Sequence, residues 1–120
     1  MEMNKIFEHP LEQRCFAFAS DVRVFCRKVS QDIINIQDIR QLVKSSGSVC
    51  ANYIEANEKL GEGDLKYRIK VARKEAKETI LWLGLIYISE NKVLEDERQR
   101  LIQEVFELKA ILSSILNKLK

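Results

Sequence analysis

Five basic side chains share one side of a predicted helix in the second half of the chain. Most are separated by steps of four, three and four residues, which keep side chains on one side of an α-helix. Several cations in a row release the counterions condensed on a phosphate backbone, so this basic stripe predicts binding to RNA or DNA. A solvated helix face, partly paired with Glu75, Glu78 or a neighbouring chain, is the alternative. The five residues are Lys66, Lys70, Arg73, Lys74 and Lys77.

The residue types that usually carry catalysis are scarce or differently spaced. His9 is the single histidine and lies near the N-terminus, so neither a Ser-His-Asp arrangement nor a His-rich metal site is expected. Glu75 and Glu78 lack the following histidine of a di-iron helix motif. Gly61 and Gly63 form a G-x-G fragment without a preceding strand or a P-loop lysine pattern. We therefore expect no catalytic residue, no metal and no cofactor, and a protein that is not an enzyme.

Composition predicts one helix-rich domain that spans residues 1–120. The chain has 46% hydrophobic and 32% charged residues, with four glycines and one proline. Cys15, Cys26 and Cys50 lack C-x-x-C spacing and stand beside apolar residues, which is typical of free thiols in a reducing compartment. Residues 1–10 lack the apolar core of a signal peptide, and the longest apolar run, 80–88, is about half a membrane span. We expect a cytoplasmic protein without membrane contact.

The spacing of apolar residues predicts four helices, at about 11–30, 36–57, 64–89 and 95–119. Pro10 suits the first turn of helix one. Asn35, followed by Asp38, resembles a polar cap that opens helix two, and Asn91 is a stop signal after helix three. Because the connections are only about five to eight residues long, neighbouring helices must run antiparallel. The predicted fold is all-α, an antiparallel up-down-up-down four-helix bundle.

Helix two has a run of small residues in its middle, from Ser45 to Ser48, where a neighbouring helix could approach closely. Gly47 lowers helix propensity, so tight packing is expected there. The predicted inward side of this helix consists of Ile39, Leu42, Val43, Ser46, Cys50 and Ile54.

Helix three carries two apolar faces. The core face predicted from a rotation of about 100 degrees per residue consists of Leu65, Ile69, Ala72, Ala76, Ile80, Leu83 and Tyr87. Exposed aromatic and aliphatic side chains usually mark an interface, so the opposite face predicts an oligomer. The alternative is that bundle curvature or the amino-terminal arm covers Trp82 and Tyr67 within the same chain. The residues of the opposite face are Tyr67, Val71, Trp82 and Leu85.

Two segments of the predicted helices two and three carry a family resemblance, SSGSVCANYIEA at 45–56 and DLKYRIKVARKEAKETILWLGLI at 64–86. They resemble the 23S rRNA-intervening sequence protein family of bacteria, and the likeness covers about residues 11–118. The most specific parts are S-x-S-x-x-A-N-Y-x-E-A on helix two and A-x-K-E-A-x-E-T-x-x-W-L on helix three. The segment 54–64 departs from the family pattern, in which a glycine often follows the E-A pair and the connection is more basic. This departure argues against phosphate binding by that loop.

The resemblance implies a four-helix bundle that assembles as a homopentamer. The family is similar to the accessory variability determinant proteins of diversity-generating retroelements, which bind nucleic acid and a reverse transcriptase. The implied partners are therefore other copies of the chain, RNA or DNA, and a protein such as a reverse transcriptase. The outer face of helix three would then be a ring interface, and the basic stripe would face nucleic acid. The family's own biochemical role is mostly unassigned.

Five polar residues stand among apolar neighbours within the matching motifs. They could form a structural network across helices or subunits, with Lys70 or Arg73 as the counterion of Glu55 or Glu75, since a buried carboxylate without a partner costs several kcal/mol. A ligand site is the alternative. The five residues are Asn52, Glu55, Glu75, Glu78 and Thr79.

Three functions are compatible with these patterns. The first is a non-enzymatic oligomeric module that binds nucleic acid or assists a ribonucleoprotein through the basic stripe. The second is a protein-protein interaction scaffold that uses the outer face of helix three and binds no nucleic acid. The third is a small-ligand binder or enzyme with Asn52, Glu55 and Glu78 in the bundle core.

Overall fold

Four α-helices make up the chain in the computed structural model, which describes residues 6–7, 9–58 and 61–119. They are α1 (Pro10–Lys28), α2 (Ile33–Asn57), α3 (Glu62–Leu85) and α4 (Lys92–Lys118). Each helix packs against its neighbours in sequence, and α4 returns to pack against α1. The predicted all-α up-down four-helix bundle is thus confirmed. Most of residues 1–10, for which no signal peptide was expected, and part of the 54–64 connection lie outside the described residues.

Helix α2 begins about one turn earlier than the sequence pattern indicated. Its N-cap is Asp32, whose carboxylate accepts hydrogen bonds from the backbone N–H groups of Ile34 and Asn35. The prediction that Asn35 and Asp38 open this helix is therefore wrong. Asp32 takes that role because a short carboxylate on an extended residue reaches the unpaired N–H groups of the first turn. Asn35 lies inside the helix and is fully buried.

Helix α3 ends at Leu85, also earlier than expected, and the chain then runs without helical structure to Asn91. Ser89 and Glu90 adopt positive φ angles of 52 and 59 degrees and reverse the chain direction. Asn91 accepts a hydrogen bond of 3.0 Å from the backbone N–H of Leu94. It therefore caps the start of α4, so the stop after helix three is also the start signal for helix four.

The bundle interior is filled by aromatic and aliphatic side chains from all four helices. On α2 the buried positions include Val49, Tyr53 and Ala56, so the inward side is rotated relative to the predicted one. Tyr87 was assigned to the core face of helix three but is 60% exposed, because the helix has already ended there. All three cysteines are buried and free, as expected. The largest fully buried side chains include Phe18, Phe25, Leu42, Ile69, Leu83, Leu101, Leu108 and Leu112.

The contact between α2 and α3 is the most extensive of the bundle and includes small residues from both helices. Ser45 and Ser46 of α2 are buried, as are Ala72 and Ala76 of α3. Tight packing was also expected at Gly47, and the structure shows which group packs there. A Cβ atom at Gly47 would lie 3.2 Å from Nη2 of Arg23, so the glycine makes room for a guanidinium group from α1. None of the described helices is long and apolar enough to span a bilayer.

Candidate nucleic-acid interface

A groove between α3 and α4 collects most of the predicted basic stripe. It has a volume of about 380 Å³, and its described lining contains no carboxylate. Lys66 lies one turn before Lys70 on the same side of α3 and is exposed. The groove is lined by Lys70, Arg73, Lys74 and Lys77 of α3 and by Lys109 and Ser113 of α4.

The groove residues on α4 were not predicted from the sequence. Lys109 and Ser113 are one turn apart on α4 and flank the leucine seam of that helix. From this spacing, the sequence indicates that a polar strip runs beside the leucine seam of α4. The sequence does not show which neighbouring helix this polar strip faces, because that depends on how α4 packs against α3.

Arg98 sets the level at which α4 lies against α3. Its side chain is 15% exposed and donates hydrogen bonds to the carbonyl oxygens of Leu83 and Ile86, at the end of α3. The same guanidinium pairs with Glu95 of α4. Carbonyl groups at a helix end lack partners within the helix, so Arg98 both satisfies them and joins the two helices.

The cations of the groove differ in their pairing from those on the other side of α4, where it packs against α1. Within the described ranges, no carboxylate lies within 4.0 Å of the charged nitrogens of the five stripe residues. On the seam between α1 and α4, in contrast, basic side chains are paired with acidic ones. These pairs are Arg14 with Glu104 and Glu107, Lys28 with Glu97, and Arg100 with Asp21. The groove cations, Lys109 included, therefore form no close ion pair within the described part of the chain, and only Lys74 also interacts at longer range with Glu75.

Glu75 and Glu78, the carboxylates suggested as partners for the stripe, lie on the other flank of α3. They line a polar pit against α2 together with Lys44, Lys74 and Trp82. Partial burial raises the pKa of Glu75, and the negative charge of Glu78 raises it further, while Lys74 and Lys44 oppose both effects. The predicted counterions Lys70 and Arg73 are wrong for Glu75, because they face α4 instead.

The predicted polar network is divided into two groups along the α2–α3 interface. The fully buried Thr79 hydroxyl lies 2.8 Å from the Ser45 hydroxyl and donates to the Glu75 carbonyl oxygen, also at 2.8 Å. Such satisfied buried hydroxyls hold two helices in register.

The second group is centred on Asn52. Its amide nitrogen donates to the carbonyl and hydroxyl oxygens of Ser48, and its amide oxygen accepts a bond of 3.2 Å from Arg68. The side chain of Glu55 is exposed and forms no hydrogen bond or ion pair with the other described residues. Its inclusion in the network, and its pairing with Lys70 or Arg73, is therefore wrong.

The predicted oligomer face of α3 is only partly open. Tyr67 is 59% exposed and Leu85 53%. Val71 is half-buried, and so is Trp82, which packs against the hydrophobic core. Intramolecular packing thus covers part of Trp82, as the alternative interpretation held, but leaves Tyr67 exposed.

The amino-terminal arm does not provide that cover where it is described. Phe7 packs against Phe16 of α1 with the two rings tilted and their centroids 5.4 Å apart, away from α3. The described residues contain no group of three or more His, Cys, Asp or Glu side chains that could hold a metal ion.

No protein-family model and no curated protein matches the sequence. A solved structure does match: the crystal structure of a protein of unknown function from the S23 ribosomal protein family of Bacteroides thetaiotaomicron. The TM-score is 0.73 at 23% identity, over 88% of this chain and 97% of that chain. The S23 family is the 23S rRNA-intervening sequence protein family. The chain therefore has the fold of a protein from the family that its α2 and α3 motifs resemble.

Proposed function

We propose that the chain is a divergent relative of that family and binds the phosphate backbone of RNA or DNA in the groove between α3 and α4. The observation that carries this proposal is a groove whose described lining contains five cations from two helices and no carboxylate. A cationic surface of this kind is favourable for a polyanion, because each phosphate it neutralises releases condensed counterions. Binding rather than catalysis is proposed, since Asn52, Glu55 and Glu78 lie in three different environments.

The test compares a groove variant with a control of equal net charge. The groove variant carries Lys70→Gln, Arg73→Gln and Lys109→Gln. The control carries Arg27→Gln, Arg40→Gln and Lys118→Gln, at exposed positions that are spread over three helices and lie outside the groove lining. Fluorescence anisotropy with labelled RNA and DNA oligonucleotides measures the dissociation constants of both variants and of the unmodified protein.

At low salt, the groove variant should bind at least about tenfold more weakly, since three phosphate contacts are lost. The control should bind like the unmodified protein, apart from a small change that reflects net charge. Equal loss in both variants would mean that only net charge attracts the oligonucleotide. That result would reject the groove as the binding site.

A second proposal, self-association through α3, is favoured by the exposure of Tyr67 and Leu85. Leu81, between them in space and 51% exposed, adds to the same region of the helix. Large apolar side chains grouped on one face usually mark a contact surface. We propose that copies of the chain meet there, as the family resemblance implies. If the protein is a scaffold that binds no nucleic acid, it should self-associate and show no binding in the oligonucleotide assay.

A further inference from the structure

An exposed aromatic side chain of α4 stands next to the basic groove. Phe106 is 58% exposed, which is high for a phenylalanine. Phe106, Lys109 and Ser113 are separated by steps of three and four residues and therefore share one side of α4. Lys109 and Ser113 line the groove. The same spacing puts Phe106 one turn before Lys109, just outside that lining, on the α3 side of α4.

The register of the two helices places Phe106 opposite the far end of the basic stripe. Arg98 bonds to the carbonyl groups of Leu83 and Ile86, so these residues lie at one level. About two turns further along α4 comes Phe106, and about two turns back along the antiparallel α3 comes Lys77. Leu81 follows Lys77 by one turn on α3 and is 51% exposed. The cationic groove thus continues into a short apolar surface.

This combination distinguishes a single strand from a duplex. Proteins that bind single strands join a positively charged groove for the backbone to aromatic side chains on which bases stack. In a duplex the bases are paired and stacked on each other, so an aromatic ring on a protein surface has no base face to contact. Phe106 and Lys109 are about 5 Å apart along the helix axis, so one nucleotide can reach both with its base and its phosphate.

From this geometry we propose that the groove selects single-stranded nucleic acid, with one base stacked on Phe106 between Lys77 and Lys109. The inference rests on the proposed function, since the phosphates must occupy the cationic groove. The inference specifies single-stranded over double-stranded nucleic acid, which phosphate binding alone does not distinguish.

The test uses three labelled ligands of equal length: a single strand, a duplex, and a strand that has the same backbone without bases. The single strand and the duplex are each made as RNA and as DNA, which identifies the source of the strand. The proteins are the unmodified chain, Phe106→Ala, Phe106→Trp, and Val93→Ala. Val93 is 74% exposed at the start of α4 and controls for the loss of an exposed apolar side chain.

We expect Phe106→Ala to weaken single-strand binding by roughly 5- to 100-fold, the effect of one lost base-aromatic stack. Binding of the duplex and of the strand without bases should change by less than about twofold. Phe106→Trp should restore single-strand affinity, because indole stacks at least as well as a phenyl ring. Val93→Ala should have no effect.

Several outcomes would overturn the inference. Equal single-strand affinity of Phe106→Ala and the unmodified chain, while the groove variant still loses affinity, would reject stacking and leave phosphate binding intact. A changed solution mass of Phe106→Ala, with unchanged binding per chain, would assign Phe106 to a contact between copies. Absence of binding to every ligand would reject both the stacking and the proposed function.

Discussion

The side-chain amide of Asn35 and the backbone of Tyr87 exchange two hydrogen bonds of 2.8 Å each. The same amide nitrogen also donates to the carbonyl oxygen of Ser30, at 3.0 Å. Asn35 therefore ties the connection before α2 to the connection after α3, 52 residues further along the chain. These bonds satisfy backbone groups of a segment that has no helical partners of its own.

Replacement of Asn35 should lower stability substantially. Asn35→Ala leaves the Tyr87 N–H and two carbonyl groups without their partner at a partly buried site. We therefore expect a loss of about 2–4 kcal/mol in the free energy of unfolding. Urea denaturation followed by circular dichroism measures this loss. Ile33→Ala, at a position that is 78% exposed, serves as the control and should change stability by less than about 0.5 kcal/mol. Equal midpoints for the two variants would contradict the role of Asn35.

The carboxyl group of Glu75 should make stability depend on pH. Burial and Glu78 raise its pKa in the folded state above the ordinary value of 4.5, so the folded chain holds this proton more tightly than the unfolded chain does. The contribution of Glu75 to stability is therefore greatest at acid pH and declines as pH rises through the folded-state pKa. Glu75→Gln should then be more stable than the unmodified protein at pH 7, and this advantage should shrink toward pH 4.

Urea denaturation at both pH values measures that difference. Glu55→Gln, at an exposed position on α2, is the matched control and should show no such dependence. A Glu75→Gln variant that is less stable at pH 7 would show that Lys44 and Lys74 outweigh burial and repulsion.

The three thiols should be protected in the folded state. Burial raises the pKa of Cys15 to about 12 and that of Cys26 to about 11, and it also raises the pKa of Cys50. Because the thiolate is the reactive form, iodoacetamide at pH 8 should label the native protein slowly. In urea, all three should be modified readily, and intact mass spectrometry counts the modified sites. Rapid labelling of a cysteine under native conditions would contradict its burial.

Self-association should depend on the exposed part of the α3 face. Tyr67→Ser combined with Leu85→Ser should reduce the average solution mass measured by light scattering, since both side chains are more than half exposed. Val93→Ser is the control on another exposed apolar side chain. Trp82 is unsuited to this test because it packs against the core, so its replacement also lowers fold stability. An unmodified chain that is monomeric at all concentrations would exclude the interface.

The sequence predicted those features that depend on spacing within one helix. The basic stripe and the leucine seam of α4 are examples, because a helix turns by a fixed angle per residue. Contacts between distant segments were missed, such as Lys109 beside the stripe, Arg98 at the end of α3 and Asn35 beside Tyr87. They depend on the register of packed helices. The sequence correctly placed Trp82 on the side of α3 away from the core face, but it did not predict that Trp82 is half-buried. Helix periodicity does not show how far a neighbouring helix covers the side of another.

The salt dependence of oligonucleotide binding tests the central claim most directly. The logarithm of the association constant is plotted against the logarithm of salt concentration for the unmodified chain, the groove variant and the charge-matched control. Each phosphate contact contributes a slope of about −0.7 to −0.9, so removal of Lys70, Arg73 and Lys109 should make the slope shallower by about 2–3. The control should keep the original slope. Three parallel lines would contradict phosphate binding in the groove between α3 and α4.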